Sequence, residues 1–167
     1  MRSFYRAPRY RMKNSVGYLV HYNTSLLRPQ MERLFDDREL TFSQWTVLMA
    51  LREWGDITAA HVARRICHDA GSLTRLLDQL ERRGLVARTR NKTDRRAVAL
   101  SLTARGKSVL ETVLPRVVDF WNRLLGDFTE SEIRQTISLL TRLAAASDGR
   151  RDSDNPRKPR AGGRGGD

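Results

Sequence analysis

The sequence predicts a mainly α-helical protein with one small β-hairpin, an α+β fold in which helices supply most of the core. Apolar residues recur at helical spacing through most of the 167-residue chain. Two short segments, residues 85–90 and 96–102, instead alternate apolar and polar side chains with the period of a half-buried strand. Residues 91–94 between them read Asn-Lys-Thr-Asp, which is the composition of a turn.

The first part of the chain predicts two helices. A long helix is expected over residues 15–37, although Pro29 lies inside it and predicts a kink or a break just before the proline. A second helix, residues 44–54, is expected to begin after an N-cap at Ser43 and to end at Gly55.

The middle of the chain predicts a helix pair followed by the hairpin. A short third helix is expected to begin after Thr58 and to run through Ile66, and a fourth opens near Asp69. Four leucines of the fourth helix recur at helical spacing and form one inward stripe: Leu73, Leu76, Leu77 and Leu80. Two arginines and Gly84 close this helix, because cations and a left-handed residue are favoured there.

Two further helices are predicted after the hairpin. Thr103 is expected to cap a helix that runs to about residue 125 with a mild interruption at Pro115, and the capping box at 129–132 opens a last helix to about residue 146. Both helices have broad apolar faces, formed by Leu110, Val113, Val117, Val118, Trp121, Leu124, Leu125, Ile133, Ile137, Leu140 and Leu143. One small lobe cannot cover that much apolar surface, so a subunit interface is expected.

A polar helix face beside a basic hairpin fits two neighbouring grooves of DNA, and this arrangement is a winged helix-turn-helix. The fourth helix is then the recognition helix, and the hairpin of residues 85–102 is the wing. Candidate DNA-binding residues on the helix are Ser72, Thr74, Arg75 and Gln79, and those of the wing are Arg88, Arg90, Asp94, Arg95 and Arg96. Arginine is favoured in a narrow, electronegative minor groove.

Several motifs resemble the MarR family (multiple antibiotic resistance regulators) of bacterial transcription factors. They are the start of the recognition helix at 69–75, the Leu-Glu-Arg-Arg-Gly-Leu-Val run at 80–86, and the wing sequence Asp94-Arg95-Arg96 with Leu102-Thr103 after it. The resemblance implies that Arg96 enters the minor groove and that Asp94 orients the arginine through an ion pair. It also implies a homodimer, built by the first and the last two helices, that binds an inverted repeat in double-stranded DNA.

The resemblance further implies a small-molecule effector. In the family, anionic aromatic compounds often bind between the dimerisation helices and the DNA-binding lobes. Candidate ligand-binding residues are Tyr18, His21 and Tyr22 on the first helix and Trp45 and Arg52 on the second, with His21 or Arg52 meeting a carboxylate or phenolate. The alternative interpretation is that the two tyrosines and the tryptophan are core packing.

The charge distribution indicates a polyanionic partner and two terminal arms. The formal net charge is +12. Residues 1–13 hold five cations and no anion, which predicts a basic N-terminal arm, and the low-complexity residues 148–167 predict a disordered basic tail. The predicted domain organisation is a MarR-like domain over 14–147, containing a winged helix at 41–102 and dimerisation helices at 14–37 and 103–147.

The remaining patterns narrow the function. The chain has no apolar run of membrane-spanning length and no secretory segment, which favours a cytoplasmic, nucleoid-associated protein with no membrane partner. Its histidines are scattered, and no phosphate loop or nucleophile–base motif is present, so neither an enzyme, a cofactor nor a metal is expected. The sequence therefore predicts a dimeric, sequence-specific DNA-binding regulator, a repressor released by a small ligand. A ligand-independent architectural or anti-silencing DNA-binding protein, and an RNA or acidic-protein interaction module, remain open alternatives.

Overall fold

A computed structural model of the chain describes residues 4–35, 40–55, 57–66, 70–90 and 98–147. The helices of these ranges are α1 Val16–Arg33, α2 Phe42–Trp54, α3 Ala59–Arg65, α4 Ala70–Arg82, α5 Ala104–Leu124 and α6 Glu130–Ser147. The strands are β1 Ile57–Thr58, β2 Val86–Arg90 and β3 Val98–Leu102, and two 3-10 turns, Ala7–Arg9 and Met12–Asn14, precede α1. The predicted mainly helical fold with a small sheet is confirmed.

Helix α1 begins at a doubly capped N-terminus. The Ser15 hydroxyl accepts a hydrogen bond from the Tyr18 backbone N–H at 3.2 Å, and the Tyr5 hydroxyl accepts one from the Val16 N–H at 2.9 Å. The helix continues through Pro29, so a break before the proline, one of the two predicted outcomes, is wrong, and the other, a kink, stays a prediction. Proline removes only one donor from the ladder, and the rest of this 18-residue helix remains in place.

Helix α2 begins two residues earlier than predicted. Thr41, not Ser43, is the N-cap, because it forms a reciprocal capping box with Gln44. The Gln44 N–H donates to the Thr41 hydroxyl at 3.2 Å, and the Thr41 N–H donates to the Gln44 side-chain oxygen at 3.1 Å. Gly55 ends the helix as predicted, with a φ of 71°.

The core lies among α2, α3, α4, the sheet and the first half of α5. Its buried apolar side chains include Val47, Leu48, Leu51, Val62, Leu73, Leu77, Leu80, Leu85, Val86, Leu100, Leu110 and Val113. Three of the four leucines predicted to face inward from α4 belong to this set, and Leu76 is half-buried. Full burial of each such side chain contributes about 1.5–3 kcal/mol of transfer free energy.

The sheet is antiparallel and has the strand order β1-β3-β2. In the predicted hairpin, Val86 lies opposite Leu102 and Arg90 lies opposite Val98. The sequence analysis did not identify β1, which pairs Ile57 with Leu100. Two residues are too few to show the alternation on which strand prediction depends.

The end of α4 and the start of α5 meet through backbone. Gly84 has a φ of +67° and lets the Leu85 N–H reach back to the Leu80 carbonyl at 2.9 Å, which is the hydrogen bond of a Schellman cap. The Thr103 hydroxyl donates to the Gly84 carbonyl at 2.7 Å and accepts from the Gly106 N–H at 2.9 Å. These bonds attach the C-terminus of α4 to the N-terminus of α5.

The chain divides into two compact units, Met1–Phe120 and Trp121–Asp167. Helix α5 continues through Pro115 without the predicted interruption. Helix α6 begins at the predicted capping box, in which the Thr129 N–H and hydroxyl both donate to the Glu132 carboxylate, at 2.8 and 2.7 Å. In the described ranges no helix is both long and apolar enough to cross a lipid bilayer.

Candidate nucleic-acid interface

Helix α4 presents a polar face at the protein surface. Leu73, Leu77 and Leu80 are at most 2% exposed and hold the other face against the core. Ser72, Thr74 and Arg75 are exposed. Because helical side chains three and four positions apart share a face, burial of the leucine stripe determines which residues face outward.

A buried glutamine connects α4 to α2. Gln44 is only 6% exposed, and its side-chain amide donates to the Gln79 side-chain oxygen at 3.1 Å. The Arg83 guanidinium donates to the Gln44 oxygen at 3.0 Å. Gln79, a predicted DNA-binding residue, is therefore also part of the helix-turn-helix scaffold. The sequence analysis missed Gln44, although the spacing Thr-x-x-Gln from Thr41 is a capping-box signal.

Arg88, another predicted DNA-binding residue, points from β2 to α4. Its Nη2 lies 2.7 Å from Asp78 Oδ1, and its Nη1 lies 2.9 Å from Glu81 Oε2. The side chain is 32% exposed, and those of Asp78 and Glu81 are 49% and 40% exposed. The sequence indicated a cation in the wing but not its partners, because the pairing depends on how β2 packs against α4.

The outer part of the wing lies outside the described residues. Arg90 is the last residue of β2, and its backbone pairs with Val98, but its side chain is not among those described. Asp94, Arg95 and Arg96 fall within residues 91–97, outside the described ranges. Their roles in DNA binding stay predictions.

The candidate ligand-binding residues fall into separate groups. Tyr18 and Tyr22 stack on α1, with ring centroids 5.6 Å apart, and His21 beside them is exposed. Trp45 instead packs against Phe35, at a centroid distance of 5.7 Å, in an aromatic cluster with Phe42. The buried Trp45 Nε1–H has no hydrogen-bond partner among the described residues.

Arg52 lines a cleft that contains none of the other four candidates. The cleft has a volume of about 320 Å³ and lies between the end of α2, the end of β3 and the start of α5. Its charged lining residues are Arg52, Lys107 and Glu111. Two cations and one anion leave the cleft with a net positive charge. The sequence analysis missed Lys107, because nothing in its local sequence distinguishes it from a solvated helix residue.

Comparison with known proteins identifies the class to which this winged helix belongs. The family model described as "MarR family" matches residues 40–98. The HTH-type transcriptional repressor MdtR of Bacillus subtilis (strain 168) is 32% identical over 122 residues, which are 73% of this chain and 79% of the relative. The homoprotocatechuate degradative operon repressor of Escherichia coli is 28% identical over 77% of this chain and 84% of its own length.

Solved structures agree with the sequence relatives. Wild-type MarR of Escherichia coli in its apo form has a TM-score of 0.66 and 28% sequence identity, and the match covers 77% of this chain and 96% of that chain. The protein is a winged helix-turn-helix transcriptional regulator, and its relatives are regulators and not enzymes. The chain belongs to the MarR family.

Proposed function

We propose that the protein is a dimeric repressor that binds an inverted-repeat operator in the cytoplasm, with α4 in the major groove and the wing in the adjacent minor groove. The observation that carries this proposal is the exposed polar face of α4, where Ser72, Thr74 and Arg75 project from a helix whose other face is buried. The major groove admits one α-helix and presents a distinct hydrogen-bonding pattern for each base pair. Repression is supported by the relatives MdtR and the homoprotocatechuate degradative operon repressor, both of which are repressors.

The dimer is supported by apolar side chains that remain exposed on the helices. Leu19 and Leu26 of α1 are 45% and 48% exposed, and Ile137 and Leu140 of α6 are 60% and 51% exposed. Several large apolar side chains exposed on the same helix mark an interaction site. A twofold dimer presents two identical recognition helices in opposite orientations, and the matching DNA site is an inverted repeat.

A small anionic effector is supported by the positive cleft. Arg52 and Lys107 line the cleft, and a carboxylate is the natural partner of two cations. We propose that aromatic carboxylates bind the native dimer and raise its melting temperature by mass action. A thermal-shift panel of benzoates tests this proposal. Benzamides of the same shapes are the matched uncharged controls.

Selection of DNA from a randomised duplex library tests the central proposal. Repeated binding to the full-length protein should enrich an inverted repeat whose half-site centres lie about 10–10.5 base pairs, or a multiple of this, apart. A library that stays random after selection, or equal binding of single-stranded RNA, would instead support the interaction-module alternative. Benzoates that leave both the melting temperature and the binding of the selected duplex unchanged would favour the ligand-independent DNA-binding protein.

Substitutions then test the predicted contacts on the selected duplex. Arg75→Ala and Arg96→Ala should each weaken binding by about 1–3 kcal/mol per half-site, and therefore by about twice that in a symmetric dimer. Arg142→Ala removes one cation from an exposed position of α6 and is the control. Gel-shift titration measures the affinities. An Arg96→Ala affinity within about twofold of the wild type would rule out the minor-groove role.

A further inference from the structure

We infer that Arg88 acts as a positioning residue that fastens the wing to the recognition helix through Asp78 and Glu81, and that it is not a direct DNA contact. This inference rests on the proposed function, because it concerns how α4 and the wing reach two grooves together. It assigns to Arg88 a role different from the one that its sequence position predicts.

The geometry of the three side chains supports this role. Asp78 and Glu81 are three positions apart on α4, so both carboxylates project from one face of the helix. Each terminal nitrogen of the Arg88 guanidinium binds a different one of them, at 2.7 and 2.9 Å. A guanidinium holds its donors in a rigid planar fork, so this bridge fixes the direction of the Arg88 side chain as well as its distance from α4.

The bridge gives the wing a polar attachment to α4 in addition to the covalent turn and the apolar core. The turn at Gly84 links the end of α4 directly to β2. Arg88 lies in the middle of β2, opposite Leu100 of the central strand β3. The pairing of β2 with β3 and the burial of Val86 already hold the base of the hairpin, and the bridge adds a directional polar contact to that packing. The bridge therefore fixes the position of the middle of β2 relative to the recognition helix before DNA is bound.

The bridge also changes the charge of the surface that meets DNA. Asp78 and Glu81 lie on the recognition helix, and their carboxylates are 49% and 40% exposed. Without a cation beside them, two negative charges would approach the phosphate backbone. Arg88 offsets part of this charge while its own donors are directed at α4. Loss of Arg88 therefore weakens DNA binding in two ways, and both depend on the two acidic residues.

That dependence separates positioning from direct contact. An arginine that binds DNA contributes the same affinity whether or not Asp78 and Glu81 are charged. An arginine that acts through them contributes only when they are present. The test is a double-mutant cycle of four full-length proteins: the wild type, Arg88→Gln, Asp78→Asn/Glu81→Gln, and the variant that combines all three substitutions.

Affinities are measured on the duplex selected by the wild type and on a scrambled duplex of the same length. We expect Arg88→Gln to weaken binding of the selected duplex by about tenfold or more in the wild-type background and by less than about twofold in the neutralised background. Arg88→Lys should be intermediate, because one ammonium is a point charge without the guanidinium fork. Arg142→Gln is the control for the loss of one positive charge.

The ion pairs are partly exposed, and pairs of this kind contribute little to folding stability, so the variants should remain folded. Thermal melting of each variant checks this. An equal loss of affinity in both backgrounds, or no loss in either, would overturn the inference. A wild-type chain with no preference for the selected duplex would contradict the proposed function and remove the basis of the inference with it.

Discussion

At the scale of single residues, the close contact between α5 and Leu85, which follows the recognition helix, requires a glycine at position 106. A Cβ atom built on Gly106 would lie 2.1 Å from the Leu85 carbonyl oxygen and 3.1 Å from its carbonyl carbon. Both atoms belong to the backbone, so they cannot move aside as the end of a flexible side chain can. The Leu85 oxygen also accepts a hydrogen bond from the Thr103 N–H at 3.2 Å, which holds it in place.

Gly106→Ala is therefore expected to lower the free energy of unfolding by about 1–3 kcal/mol, the usual cost of overpacking. Gly17→Ala is the matched control, because Gly17 also lies in a helix and a Cβ there would meet no atom within 4 Å. The control should be neutral or stabilising by up to about 1 kcal/mol. Urea denaturation measures both, and equal effects of the two substitutions would contradict the steric argument.

Single-residue roles divide into those that the sequence predicts and those that need tertiary structure. The leucine stripe of α4 was predictable because helical periodicity is a local property, and the structure confirms it at Leu73, Leu77 and Leu80. The partners of Arg88 were not predictable, because Glu81 and Asp78 are seven and ten positions away on another element. Composition indicates that a cation is present, and only packing determines which group it meets.

At the scale of secondary-structure elements, the N-terminus of α6 has a titratable cap. The Glu132 carboxylate accepts hydrogen bonds from the Thr129 hydroxyl and N–H, and these bonds lower the pKa of Glu132 below its ordinary value of 4.5. A carboxylate at the first turn also interacts favourably with the helix dipole. The charged form of Glu132 is therefore favoured in the folded protein.

A lowered pKa in the folded state means that the unfolded state binds the proton more tightly. The stabilisation by Glu132 is thus complete above the ordinary value of 4.5 and is lost as the pH falls through the lower pKa of the folded protein. Glu132→Gln, which has no charge to titrate, should be less stable than the wild type at pH 7, and this difference should shrink below pH 4.5. Thermal melts from pH 7 to pH 3 measure it. A difference that stays constant over this range would contradict the assignment.

Local chemistry predicts where helices begin more reliably than where short strands form. Thr58 and Thr129 were identified as N-caps from the sequence, and both accept the expected backbone hydrogen bonds. The error at α2 arose because two hydroxyl residues, Thr41 and Ser43, compete for the cap, and the position of Gln44 decides between them. Strand β1 was missed because its pairing with β3 is a long-range contact.

At the scale of the whole molecule, the exposed apolar residues of α1 and α6 predict an obligate dimer. Sedimentation equilibrium at low micromolar protein should give one species of twice the 19.2 kDa chain mass. Ile137→Asp places a charge among these apolar side chains and should weaken the dimer. Ser138→Asp is its matched control, because it adds the same charge about 100° away around the same helix. A well-folded wild-type monomer would exclude the twofold reader of an inverted repeat.

The N-terminal arm should strengthen DNA binding without reading sequence. Each phosphate contact contributes about −0.9 to the slope of log affinity against log salt concentration. Because Tyr5 supports the start of α1, the charges are best removed by substitution of Arg6, Arg9, Arg11 and Lys13 with Gln. We expect a flatter salt slope and a similar loss of affinity for the selected and the scrambled duplex.

Deletion of residues 148–167 should have a smaller effect, because this tail has six cations against four anions. Fluorescence anisotropy across a salt series measures both variants. If either variant lost its preference for the selected duplex while binding the scrambled one normally, the ends would be reading bases, which an electrostatic arm does not do.

The close contact at Gly106 also determines which segment of this chain can be exchanged between related regulators. The recognition helix, the sheet and the first turn of α5 share one set of backbone contacts through Gly84, Leu85 and Thr103. A graft of α4 alone would separate the helix from the Gly84 and Leu85 carbonyl groups and from Gly106, which together hold its C-terminus in place. A cassette of residues 70–106 keeps these backbone contacts together, and it needs only a glutamine at position 44 of the recipient to restore the bonds to Gln79 and Arg83. Recombination that retargets such a protein to a new promoter should therefore have its crossover points outside this cassette.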